Sequence, residues 1–335
     1  MNYNRNKYKF SIVKWHGVFL LLLLSSGMLL GQPISNYKTF IGWGISKKDS
    51  KEVAVLRKFD NGNHSYYFTV SPHSLNTEIV RSDSITVTAA SWPILYSRYS
   101  STPYVKAIQQ VAANCVSIQD AGFKQFSRSQ AGIDLTIDLC PSHRPLDRIV
   151  FTDLIKEIAK VEKPVPLAVS VTGRWMNTHP GDLNWLDSLV KAGDLSIVWI
   201  NHTYNHDVVK NVTLTKNFML APGTNINSEV LNTEIGLLER NLIPSVFFRF
   251  PGLVSDQALF DKILSLGLIP VGSDAWLAKG QWPKEGSIVL IHANGNEPLG
   301  VHDFINLLRN EQSSVLSRHW ELFDLRESLV DDESK

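Results

Sequence analysis

Two histidines, His202 and His206, lie four residues apart directly after an apolar run, Ser196 to Ile200. Imidazole ligates zinc, cobalt, nickel or iron. If one helical turn follows the run, residues i and i+4 share a face and both rings converge on one point. The spacing alone is common by chance, and two loop histidines would show it too. Other groups decide the matter. Asp138, Thr172, Arg249, Asp274 and His292 each stand at or just beyond the end of an apolar run. A carboxylate, a guanidinium and imidazoles placed together suit acid–base chemistry. Each has a plainer reading: Asp138 as a helix cap, Arg249 with Asp274 as a structural ion pair, His292 as a core histidine. Packing would then have to produce the same coincidence at the end of one run after another.

The elements that must position these groups begin at Ile133. Seven strand-like runs follow: Ile133–Asp138, Val165–Val171, Ser196–Asn201, Ser245–Arg249, Leu268–Gly272, Ser287–His292 and Glu321–Leu325. Most are continuous apolar runs, as expected of parallel strands buried on both faces. Helical spacing falls between them at Leu146–Val161, Asp182–Ala192, Ile226–Arg240, Ser255–Ser265 and Val301–Leu316. This alternation predicts an α/β fold, a distorted (β/α) barrel of about seven parallel strands over residues 131–330. Catalytic groups of such barrels gather at the carboxyl ends of the strands. Val330–Lys335 reads as a frayed polar end.

Residues 33–130 read differently. Short alternating runs at Thr39–Trp43, Glu52–Leu56, Ser65–Val70 and Ser84–Thr88 are split by turn clusters. Asn61-Gly62 is a favoured hairpin turn, because both residues tolerate positive φ. A small β-rich domain is expected, followed by a linking helix from Pro103 to about Val116. Its role reads equally as substrate positioning or as a structural cap.

Residues 1–31 read as a signal peptide. Arg5, Lys7, Lys9 and Lys14 precede Gly17–Leu30, an uncharged apolar run of 14 residues, short for a membrane span. The expectation is an exported protein, with an uncleaved anchor as the alternative. A net charge of +1 over 335 residues gives no electrostatic footprint for nucleic acid. No protein partner is inferable. Export permits a disulfide between the two cysteines, Cys115 and Cys140, and free thiols fit equally.

From Ile133 to Leu325 the chain resembles the polysaccharide deacetylases (NodB-like, carbohydrate esterase family four). Thr136-Ile137-Asp138-Leu139-Cys140-Pro141 is similar to the family's T-F-D-D-G-P motif, and His202-Thr203-Tyr204-Asn205-His206 to H-[ST]-x-x-H. Arg249-Phe250-Pro251-Gly252, Asp274-Ala275-Trp276 and Leu290-Ile291-His292 are similar to its three later motifs, in the same order. The resemblance implies roles by position. Asp138 is the general base and His292 the general acid. His202 and His206 hold a divalent metal. Arg249 orients Asp138, and Asp274 holds Arg249. The backbone N–H of Gly252 assists the oxyanion, while Trp276 and Leu290 wall the acetyl pocket. The implied activity is removal of N-acetyl groups from a peptidoglycan or chitin-like glycan. A catalytically silent glycan-binding protein on the same barrel, or hydrolysis of another amide or an ester, are the alternatives.

The chain departs from the motif at Leu139, where the family carries its metal-ligating aspartate. Leucine cannot ligate, so the expected zinc, cobalt or nickel site is weakened. Asp138 itself, His143 or Asp147 are the candidate substitutes. Gly252 stands where the family has an aromatic side chain, and Cys140, in place of its glycine, reads as a small buried residue. Trp175, Trp282 and the N-terminal aromatics could stack on sugar rings or belong to the core.

Overall fold

The computed structural model describes residues 33–114, 116–127 and 130–332. The expected signal peptide and Cys115 lie outside the described residues. The chain opens with a five-stranded antiparallel sheet: β1 (Ile34–Ser46), β2 (Glu52–Asn61), β3 (His64–Val70), β4 (Thr77–Arg81) and β5 (Ile85–Ala89), in the order β4-β3-β2-β1-β5. The hairpin between β2 and β3 forms one residue later than expected. Asn61 ends β2 opposite His64, and the loop is Gly62-Asn63, with only Gly62 at positive φ, +58°. Two helices follow, α1 (Trp92–Arg98) and α2 (Pro103–Ala113), each with proline in its first turn, where a missing N–H costs nothing.

The second sheet is parallel throughout. Its elements in chain order are β6 (Gly132–Leu139), α3 (Ile149–Ile158), β7 (Val165–Val171), α4 (Gly173–Thr178), α5 (Pro180–Lys191), β8 (Leu195–Asn201) and α6 (Ile226–Leu238). Then come β9 (Phe247–Phe248), α7 (Gln257–Ser265), β10 (Ile269–Pro270), β11 (Ala275–Trp276), β12 (Ser287–Ile291), α8 (Pro298–Asn310), α9 (Gln312–Leu316), β13 (Glu321–Leu322) and α10 (Leu325–Asp332). The order is β10-β9-β8-β7-β6-β12-β11, with β13 beside the start of β6. β10 and β11 lie at opposite ends of that path, yet four residues join them in the chain. One segment therefore pairs with β9 at its start and β12 at its end, and the sheet curls into the distorted barrel expected from the sequence. The expected run at 268–272 was the first half of this bent segment; β11 had no separate signal. Helix α10 runs to Asp332, so the expected frayed end, Val330–Lys335, starts within a helix and its last three residues, 333–335, lie outside the described residues.

The period-2 geometry of strands sorts the side chains. On β6, Ile133, Leu135, Ile137 and Leu139 join one apolar cluster with Val150, Phe151 and Leu154 of α3. Asp134, Thr136 and Asp138 alternate with them and point the other way, into the barrel, where all three are buried. β8 behaves likewise: Trp199 faces the helical layer, while Val198 and Ile200 face the interior cluster. A second cluster runs without a break from Leu56, Phe59, Tyr66 and Phe68 of the antiparallel sheet to Phe247, Phe248, Ile263 and Leu268 of the barrel.

Candidate active site

Alternation along β6 carries Asp138 inward and Leu139 outward into the core, and the next inward position is Cys140. Its Sγ lies 3.4 Å from Nε2 of His202 and 3.4 Å from Nε2 of His206. The thiol and the two imidazoles offer ligand atoms all within 4.8 Å of one another, and no other such group occurs among the described residues. None of the expected substitutes takes this place. His143 is exposed, and Asp147 Oδ2 accepts from the backbone N–H of Gly295 at 2.8 Å. Asp138 Oδ2 stays 3.6 Å from His202 Nε2 and turns its other oxygen to Arg249. The group that faces both imidazoles is thus Cys140, which sequence reasoning assigned to packing. Its signal was parity: positions 138 and 140 share a face.

The histidines do not converge through a helical turn, as the spacing suggested. The segment after β8 is a loop in which Thr203 and His206 sit at φ +68° and +52°. Left-handed backbone costs a side-chain-bearing residue energy, so surrounding bonds must impose it. Glu229 of α6 supplies them, accepting from the N–H groups of Tyr204 and Asn205 at 3.0 and 2.8 Å and from the Asn205 side-chain amide at 2.5 Å. Asn201 adds another, accepting from the Thr203 N–H at 3.0 Å. His202 Nδ1 donates to the Arg249 carbonyl at 2.9 Å, which leaves the Nε2 lone pair facing Cys140. The Cys140 carbonyl is held in turn by the Asn294 amide at 2.7 Å.

Arg249 is fully buried inside the barrel and its donors are spread over four acceptors. Nη1 meets Thr136 Oγ1 at 2.7 Å and Asp138 Oδ1 at 3.1 Å, Nη2 the Gly272 carbonyl at 2.8 Å, and Nε the Val271 carbonyl at 3.3 Å. A buried guanidinium needs such saturation. Burial favours the neutral form of Asp138, yet Arg249, His202 and His292 outweigh it and hold its carboxyl below the usual range. The expected contact between Asp274 and Arg249 does not form. Asp274 instead accepts from Ser287 Oγ at 3.0 Å, because Thr136, Asp138 and the two carbonyls already take the guanidinium.

His292, just past β12, has a carboxylate of its own. Its Nδ1 lies 2.7 Å from Oε2 of Glu297, an oxygen that also accepts from Trp276 Nε1 at 2.7 Å. Burial alone would lower the His292 pKa; Cys140, Glu297 and Asp138 reverse this and hold it well above its ordinary value. Glu297 carried no motif signal, since it stands outside the L-x-H match. Trp276 and Leu290 pack with Leu253 in a small apolar cluster separate from the two cores. Gly252 sits at φ +61°, and a Cβ there would lie 2.6 Å from Cζ of Phe218. The Phe218 ring also meets His206 edge-on at 5.8 Å. Phe218 thus supplies from another loop an aromatic wall beside Gly252. Among the tryptophans raised for sugar stacking, Trp175 is fully buried and belongs to the core, whereas Trp282 is exposed.

The arrangement brings together Asp138, Arg249, His202, His206 and His292 at the carboxyl ends of the strands, and adds Cys140 and Glu297. It offers a carboxylate base, an imidazolium acid and a thiol–imidazole group with the chemistry of a metal site. No family model matches this chain. Solved structures do resemble it. One is a family 4 carbohydrate esterase from Bacillus anthracis, 18% identical over 68% of this chain and 92% of that one, with a TM-score of 0.44. Another is a peptidoglycan deacetylase from Bacillus subtilis, 14% identical over 62% of this chain and 93% of that one, with a TM-score of 0.40. A third is a pseudoenzyme of carbohydrate esterase family 4 from Bacillus anthracis, 14% identical over 64% of this chain and 70% of that one, with a TM-score of 0.43. The three are thus described as a family 4 carbohydrate esterase, a peptidoglycan deacetylase and a pseudoenzyme of carbohydrate esterase family 4.

Proposed function

We propose that this protein is an exported, metal-assisted hydrolase that removes N-acetyl groups from a glycan of the peptidoglycan or chitin type. The observation that carries the reading is the placement of a base, Asp138, and an acid, His292, around the Cys140–His202–His206 group. Residues 131–330 would be the catalytic unit, residues 33–130 the accessory one, and residues 1–31 the export signal.

The donor set fits a divalent metal, with His202 Nε2 and His206 Nε2 both turned toward Cys140 Sγ. When bound, the ion supplies a Lewis acid that polarises the acetamide carbonyl. The chain's own residues do the rest. Asp138, ionised and fixed by Arg249, takes the proton from the attacking water. The Gly252 N–H is the candidate donor to the oxyanion. Leu253, Trp276 and Leu290 exclude water beside the acetyl methyl group. His292, kept protonated beside Glu297, gives its proton to the departing amine, a poor leaving group until protonated.

Release of acetate from N-acetylated oligosaccharides, with zinc, cobalt or nickel supplied, tests the reading. Asp138→Asn should lower turnover by about 10²–10⁴-fold, the usual worth of general base catalysis. Absence of acetate with every metal, together with retained glycan binding, would overturn the hydrolase in favour of a silent binding protein.

A further inference from the structure

We infer that Cys140 is the third protein ligand of the metal, making a thiolate–bis-imidazole site that selects zinc or cobalt over hard ions; this rests on the metal-assisted reading above. Three observations on the chain carry it. The first is distance. Zinc–sulfur and zinc–imidazole bonds of about 2.3 and 2.0–2.1 Å at a tetrahedral angle separate S from N by about 3.5 Å. The two Sγ–Nε2 separations are both 3.4 Å.

The second is hydrogen-bond arithmetic. His202 donates through Nδ1 to a carbonyl, so its Nε2 is an acceptor. The same sulfur also faces His206 Nε2, so one thiol and two imidazoles turn their ligand atoms toward one another. Loss of the thiol proton to solvent and entry of an ion satisfies all three lone pairs at once. The third is support. The Cys140 carbonyl is tied to Asn294, the His202 ring to Arg249, and the loop between the histidines to Glu229, the outer partners expected of a ligand set.

Sulfur in the ligand set changes which ion fits. Thiolate and imidazole favour zinc and cobalt, whereas magnesium, calcium and manganese prefer oxygen. Of the three side chains, Cys140 and His202 are buried and His206 is partly exposed.

The test uses the full chain carrying Cys115→Ser, so that Cys140 is the only thiol. Metal-free protein is titrated with cobalt(II) and read by absorbance. Expected are intense tetrahedral d–d bands with a near-ultraviolet thiolate-to-cobalt charge-transfer band, both displaced by one equivalent of zinc and unmoved by excess magnesium. Cys140→Ser should lose the charge-transfer band and bind zinc at least tenfold more weakly. Cys140→Asp should regain affinity without the band. Should the variants fail to fold, alkylation of Cys140 in the parent chain answers instead, and zinc should block it at one equivalent. Cobalt bound without the charge-transfer band, or alkylation unaffected by bound zinc, would overturn the thiolate ligand while leaving the metal-assisted reading standing. Failure of cobalt and zinc to bind at all would overturn both.

Discussion

Gly252 and Phe218 are a coupled pair of backbone compromises at the edge of the site. Gly252 needs φ +61°, and Phe218, itself at φ +51°, fills the space where a side chain would stand. Gly252→Ala should therefore cost about 1–2 kcal/mol for the left-handed backbone alone, plus the displacement of the Phe218 ring. Denaturant unfolding of Gly252→Ala and of the double variant with Phe218→Ala separates the terms, since only the steric part is relieved by removing the ring. Asp274 gives a second prediction. Its Oδ1 is buried without a partner, and burial raises its pKa above the ordinary 3.8. A carboxylate whose folded pKa is raised holds its proton more tightly in the folded state, so its ionisation costs stability. That cost appears as pH rises from about 3.8 through the raised pKa and persists above it. Asp274→Asn should gain thermal stability relative to the parent as pH rises across that window; equal melting shifts at pH 3.5 and pH 7 would contradict it. Cys140 shows how much of the site was legible one residue at a time. The first motif points to Leu139, where the resemblance implies an aspartate. The strand's own parity, with Asp138 inward and Leu139 in the core, makes Cys140 the next residue able to reach the histidines.

At the scale of elements, periodicity reads best where both faces of a strand are buried by local chain. β7 was legible to the residue, Val165–Val171, because it is apolar on both faces and bounded by proline and threonine. β4 was not, since Thr77–Arg81 buries a single residue and is a strand only because β3 pairs with it. β11 is two residues long and owes its existence to β12. Long-range pairing leaves little trace in such short segments. The same holds for the ion pair that ties the two sheets together. Arg57 of β2 and Glu234 of α6 are both fully buried, with Nε–Oε2 at 2.8 Å and Nη2–Oε1 at 2.8 Å. Tyr37 of β1 donates to the same carboxylate at 2.8 Å. Removing one partner strands a buried charge, so Glu234→Ala should cost about 3–5 kcal/mol. Replacing both by apolar residues, Arg57→Met with Glu234→Leu, should recover most of that loss. A double variant no more stable than Glu234→Ala in denaturant would show that shape, not charge, holds the junction.

For the whole molecule, the question left open by the sequence was whether the N-terminal sheet positions substrate or caps the barrel. Among the described residues, its hydrogen bonds to the barrel fall on Pro244, Leu266, Glu234 and Arg326, and those of α1 and α2 on Ser265 and Gly267. Pro244 and the 265–267 turn immediately precede β9 and β10, so these contacts lie toward the amino ends of those strands. The candidate site is at the carboxyl ends. The connecting segment does reach it, where the Gln119 amide and the Asp120 N–H donate to the carbonyls of Gly252 and Leu253 at 3.2 and 3.0 Å. The hydrophobic cluster is continuous across the junction, with Leu56, Phe59 and Phe68 in the same cluster as Phe260, Ile263 and Leu268. A barrel deprived of that cover would expose α7 and one side of β9 and β10, an apolar patch large enough to cause association. Each buried large side chain uncovered forfeits about 1.5–3 kcal/mol, against a total domain stability of about 5–15 kcal/mol. Three or four such losses exhaust it. Residues 131–332 expressed alone should therefore be insoluble, or soluble with lost near-ultraviolet circular dichroism and bound hydrophobic dye. Co-expression with residues 33–130 as a separate chain should restore both. A cooperative melt and native near-ultraviolet spectrum for the isolated barrel would instead make the sheet an appendage, and return substrate positioning as its purpose.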